Sequence, residues 1–142
     1  MKNWIFIIMV MVTHHIVADD LDFKELGIGY RYQASIGFGV PHGLIGWQSA
    51  WIAERNKYFI TLGFLQFKLG YEQVFGLSHK HSGGIVVGAG ELFMKTDASL
   101  IYNYHFSSFS EKGFTAGLAL TYAKGGLIED GFFPNWTLAY KF

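Results

Sequence analysis

Two-residue alternation constrains this chain more than any other feature. Ile28, Tyr30, Tyr32, Ala34, Ile36 and Phe38 share one parity, with Gly29, Arg31, Gln33, Ser35 and Gly37 between them. Leu100, Tyr102, Tyr104 and Phe106 alternate in the same way with Ile101, Asn103, His105 and Ser107. Phe114 to Ala123 repeats the pattern, and Trp136, Leu138, Tyr140 and Phe142 close the chain against Asn135, Thr137, Ala139 and Lys141. Such runs of about ten residues with period two are half-buried antiparallel strands. No stretch beyond residue 20 carries a convincing helical period.

Turn signals separate the runs at Gly39 to Gly43, Glu54 to Lys57, Gly76 to Gly84, Lys95 to Asp97, Ser107 to Gly113 and Lys124 to Pro134. One boundary is hidden. Tyr58, Ile60, Leu62 and Phe64 are apolar on even numbers, whereas Phe67, Leu69, Tyr71 and Phe75 are apolar on odd ones. The phase flips at Leu65-Gln66, which requires a turn or a bulge. A bulge gives seven strands. A tight turn gives eight, expected at 27–38, 44–53, 58–65, 67–75, 84–94, 98–106, 113–124 and 134–142.

Alternation does not say which face is inside; composition argues for an inversion. Charged residues are 15% and aromatics 18%, against about 25% charged in an ordinary soluble domain. The face opposite the bulky residues is rich in Gly, Ser, Thr and Ala, which suits a narrow interior better than a wetted surface. Many rings fall near strand ends, as in the aromatic girdles of membrane barrels. In hydrocarbon only helices and closed barrels pair every backbone group. The expected fold is therefore all-β: a closed antiparallel up-and-down transmembrane β-barrel of about eight strands. A secreted soluble sandwich or lipocalin-like barrel that binds an apolar ligand is the alternative. Eleven basic residues balance eleven acidic ones, so no basic surplus is present to bind nucleic acid. The absence of cysteine excludes disulfides and thiolate metal sites.

Residues 1–18 have the order of a secretory signal peptide: Lys2, an apolar run from Trp4 to Val12, and Ala18 before Asp19-Asp20. The run is too short for a spanning helix, which needs about 20 apolar residues. Cleavage after Ala18 leaves 19–142 as one barrel domain.

Taken together, residues 19–142 resemble the small bacterial outer-membrane barrels of the OmpA/OmpX type. Pattern carries the likeness, and its most specific element is the ending Trp136-Thr137-Leu138-Ala139-Tyr140-Lys141-Phe142. The resemblance implies an outer-membrane location in a Gram-negative cell envelope and contact with outer-membrane lipid. It also implies a monomeric state and delivery by the barrel-assembly machinery, with Leu138, Tyr140 and Phe142 as the assembly signature. The loops depart from the family, since only 124–134 exceeds about nine residues.

Chemical candidates are few. Arg31, Lys68 and Glu72 fall on the inner face, where charges must pair, and Arg31 and Glu72 are expected to pair directly or through Lys68 and a neighbour. His105 and Ser107 form a His-x-Ser pair resembling that of outer-membrane lipid A deacylases, where His activates Ser and a carboxylate orients His. Here His105 should face inward, Ser108 stands where that family commonly has Asn, and no Glu falls at a matching position, Glu111 and Glu129 being loop candidates only. His79 and His81 share one side of an extended segment but lack a third ligand. No cofactor or metal is expected. The residues favour a non-enzymatic barrel with an envelope-structural or surface-interaction role, and a lipid-modifying enzyme is the alternative. Glu91, on the lipid-facing parity, calls for a bulge near Ala89-Gly90 or a place near the headgroups.

Overall fold

The computed structural model describes residues 30–90, 95–127 and 129–142. The expected signal segment, residues 27–29 of the first expected strand and Glu91 lie outside them. Eight strands occupy the described residues: β1 Arg31–Gly39, β2 Gly43–Ala53, β3 Asn56–Gly63, β4 Gln66–Phe75, β5 His81–Gly90, β6 Thr96–His105, β7 Gly113–Lys124 and β8 Gly131–Lys141. Each pairs antiparallel with its neighbours in sequence, and β1 pairs with β8 to close the barrel. The phase flip near residue 65 is the tight turn Phe64-Leu65 between β3 and β4. Leu65 there adopts φ 56°, the left-handed conformation that such a reversal needs.

Strands β2 to β6 and β8 start one to three residues earlier than expected, and β5 and β8 differ most. β5 begins at His81 rather than 84, because Gly83 and Gly84 carry no side chains to display a period. β8 begins at Gly131 rather than 134 and so contains Pro134. Its pairing with β1 runs only from Thr137↔Gly39 to Lys141↔Ser35, so Pro134 lies where one side of the strand has no partner and a missing N–H is tolerated. β5 pairs with β4 through Gln66↔Gly90 without a register shift. Among the described residues the pairing shifts at Gly37/Gly39, where the β1–β2 tip turns inward.

The seam between the chain ends is short but reinforced. Phe142 donates its N–H to the Ala34 carbonyl at 2.9 Å. Its ring stacks on Trp47 of β2 at 5.7 Å, beyond β1, and meets Tyr140 edge-on at 5.4 Å. Trp136, Leu138, Tyr140 and Phe142 all face outward.

Around the whole barrel the large apolar side chains point out. Leu100, Leu118 and Trp136 are 63%, 66% and 58% exposed, and every strand contributes to this wall. The inward parity is small or polar, with Ser35, Gln48, Thr61, Ser82, Ser99, Asn103, Thr115, Thr121 and Thr137 all buried. Phe59 is the large inward ring, and it fits because Gly70 stands opposite it on β4; a Cβ there would overlap the ring.

Candidate functional site

The inward parity places three lysines and two carboxylates inside the barrel, all buried: Lys57, Lys68, Lys141, Glu72 and Asp97. Strand register decides which of them meet. Lys57 on β3 lies directly opposite Glu72 on β4, and its ammonium pairs with Glu72 Oε2. Glu72 Oε1 accepts from Ser82 Oγ of β5 and from Asn103 Nδ2 of β6, the latter at 2.7 Å. Four consecutive strands thus converge on one carboxylate, and such convergence offsets the cost of removing it from water.

The hub extends further. His105 Nε2 lies 2.7 Å from Ser82 Oγ, and His105 Nδ1 lies 2.9 Å from Thr115 Oγ1 and 3.2 Å from Lys141 Nζ. An ammonium only donates, so Nδ1 accepts from Lys141 and the proton of a neutral ring sits on Nε2. The order is then Lys141 to His105 to Ser82 to Glu72, with each group donating to the next. Lys141 also donates to the carbonyls of Ser108 at 2.6 Å and Phe109 at 3.2 Å.

A second pair stands apart. Lys68 on β4 and Asp97 on β6 meet at 2.5 Å across β5. Gly88 lies between them in both registers, and a Cβ there would run into Asp97 Oδ1 and the Lys68 stem.

Both ends of the lumen are filled. The end that carries Arg31 and Phe142, here the terminal end, is closed by the 106–112 loop. Phe109 of that loop is buried with Ile52 and Val74 and lies edge-on to His105 at 5.2 Å. Its N–H donates to the His79 carbonyl at 2.8 Å. At the far end His42 turns inward from the β1–β2 tip, and its Nε2 lies 3.1 Å from Ser35 Oγ. Between the plugs remains a cavity of about 10 Å³, lined by residues including Ser35, His42, Gln48, Asn103 and Lys141. That is room for roughly one water molecule.

The expected residues fall as follows. Lys68 and Glu72 are interior, but they belong to separate pairs. Arg31 has the inward parity yet is exposed, because it is the first residue of β1 and lies opposite Ile52, at a level filled by the Ile52–Val74–Phe109 cluster. Lys57 takes the place beside Glu72 that Arg31 was expected to hold. His105 faces inward as the alternation requires, and its side-chain partners are Ser82, Thr115, Lys141 and Glu72 rather than Ser107. Ser107 is half-buried in the following loop, and Glu111 and Glu129 are exposed. His79 sits in the 76–80 loop with φ 54°, while His81 opens β5 with Nδ1 2.7 Å from Tyr102 Oη. Among the described residues no group of three His, Asp or Glu side chains is placed to hold a metal.

Sequence reasoning misses Lys57, Asp97, Lys141, Ser82, Asn103, His42 and Phe109 as site residues. Parity already points Asn103 and Lys141 inward and could have found Lys57 and Asp97. Lys57 is two residues before Phe59 and Asp97 two before Ser99, so each shares its neighbour's inward face although turn signals surround it. The inward folding of His42 and Phe109 has no periodic signal. Comparison of the chain with family models, curated proteins and solved structures yields no match.

Proposed function

We propose that this chain is a monomeric outer-membrane β-barrel with an envelope-structural or surface-interaction role and no catalysis of its own. One observation carries the reading: a closed wall of large apolar side chains surrounds an interior of paired charges and hydroxyls. Water would favour the opposite arrangement, whereas hydrocarbon favours this one. Strands of 8 to 12 residues suit a membrane core that takes about 9–11 residues of tilted strand. The filled lumen supports a wall element rather than a conduit, and the cavity between the plugs, with room for roughly one water, is too small for an apolar ligand. Delivery would follow the route that the chain's start and its Phe142 ending resemble.

Cell fractionation tests the reading, together with a gel of the membrane fraction before and after boiling. The protein should sediment with outer membranes and change its migration on boiling. Recovery of the folded chain in a detergent-free soluble fraction would sink the proposal. A lipid A mass spectrum from cells with and without the protein should be unchanged; gain or loss of one acyl chain would replace the structural role with an enzymatic one.

A further inference from the structure

The apolar wall does not stop at the same level all around the far end. On the β1–β4 side it continues over the rim. Leu44 and Ile45 at the start of β2 are exposed, as are Phe64 and Leu65 in the β3–β4 turn, and Phe67 continues them down the wall. Between Arg31 and Glu54, and again between Lys57 and Lys68, the chain contains no charged residue. The polar groups of this half-rim are turned away from the outside. His42 is buried in the lumen, Gln66 lies against Gly43, and the Phe64 N–H donates to the Ile45 carbonyl at 2.9 Å, tying the two hairpin tips together.

The β5–β8 side of the same end is different. Its rim carries Lys95, Lys124, Glu129 and Asp130, all exposed. Lys95 donates its N–H to the Gly125 carbonyl at 3.1 Å, and Gly125 donates to Asp130 Oδ1 at 2.7 Å, so these tips too form one unit. The shortest strand, β3 with eight residues, lies in the apolar half, and the longest, β7 with twelve, lies in the charged half.

We infer that the β1–β4 half of the far rim ends inside the hydrocarbon of the bilayer, while the β5–β8 half ends among the lipid headgroups. The inference rests on the membrane reading above. The occupant is lipid because the rim patch is continuous with the apolar wall and its two hairpin tips share a backbone hydrogen bond, as hydrocarbon favours. The charged half would meet a steep cost at that depth. Acyl chains therefore close over half of the barrel's end.

The chain has no cysteine, so single-cysteine labelling reads depth directly. Leu65→Cys, Leu100→Cys and Asp130→Cys are each labelled with an environment-sensitive fluorophore, and Phe64→Cys serves as a second rim probe. Each is refolded into phosphatidylcholine vesicles with or without brominated acyl chains, and folding is checked by migration before and after boiling. The wall label at position 100 and the rim labels at 64 and 65 should be quenched to within about two-fold of each other, with the 130 label unquenched. Rim labels as unquenched as the 130 label, beside a quenched 100 label, would overturn the inference and leave the membrane barrel standing. An unquenched 100 label would overturn both. Rim labels shielded from water but not quenched by bromolipid, with disulfide crosslinking between two unlabelled Leu65→Cys chains, would assign the patch to a second copy of the chain and overturn the lipid assignment.

Discussion

The two ion pairs inside the barrel are built in opposite ways. Glu72 is held by Lys57, Ser82 and Asn103, with His105 behind Ser82, so the loss of its carboxylate disturbs four strands and the Phe109 plug. Asp97 and Lys68 meet in a single contact across Gly88, near the far end. A networked charge is expensive to remove because its neighbours are left unsatisfied; an isolated pair can be removed as a unit.

The largest effect is expected from Glu72→Ala. It leaves Lys57 uncompensated and strips Ser82 and Asn103 of their acceptor, at a cost of about 3–5 kcal/mol. Urea unfolding of the refolded barrel measures it, and a loss no greater than that of Asp97→Ala would break the contrast. Asp97→Ala should cost less, about 1–3 kcal/mol, because it breaks a single contact and strands no donor besides Lys68. Pairwise replacement sharpens the point. Lys68→Met with Asp97→Leu should be close to neutral, whereas Lys57→Met with Glu72→Leu should remain destabilising, since the Ser82 and Asn103 donors persist. Equal outcomes for the two double variants would mean that the network adds nothing to the pair.

Among the single changes, the smallest stability effect is expected at the seam. Deleting Phe142 removes its stacking on Trp47, about 0.5–1.5 kcal/mol. Assembly in cells should fall further than refolding into detergent does; equal losses would make Phe142 a packing residue only.

The residues on each face were legible in the sequence, and the strand number was legible to within one. Parity placed Lys68, Glu72 and His105 inward and Leu138, Tyr140 and Phe142 outward, whereas the phase flip at Leu65-Gln66 left a turn and a bulge both open until the structure showed a turn. Arg31 marks the limit of parity, which assigns a direction but not a depth. A residue at a strand's first position faces the rim rather than the lumen. β5 and β8 begin earlier than expected for a related reason: glycines show no period, and turn-forming residues read as loop even where they pair.

Side-chain direction in a strand is a backbone property with a period of two, so the sequence by itself determined the two faces of this protein and their opposite chemistry. Which face encloses the lumen, and which inward groups touch, depended on closure. Asp97 reaches Lys68 only because β4, β5 and β6 align Gly88 between them. Lys141 reaches His105 and the Phe109 carbonyl only because the last strands curve around to a loop more than 30 residues earlier. Those contacts depend on strand stagger and barrel radius, which belong to the whole sheet and to no local stretch of sequence.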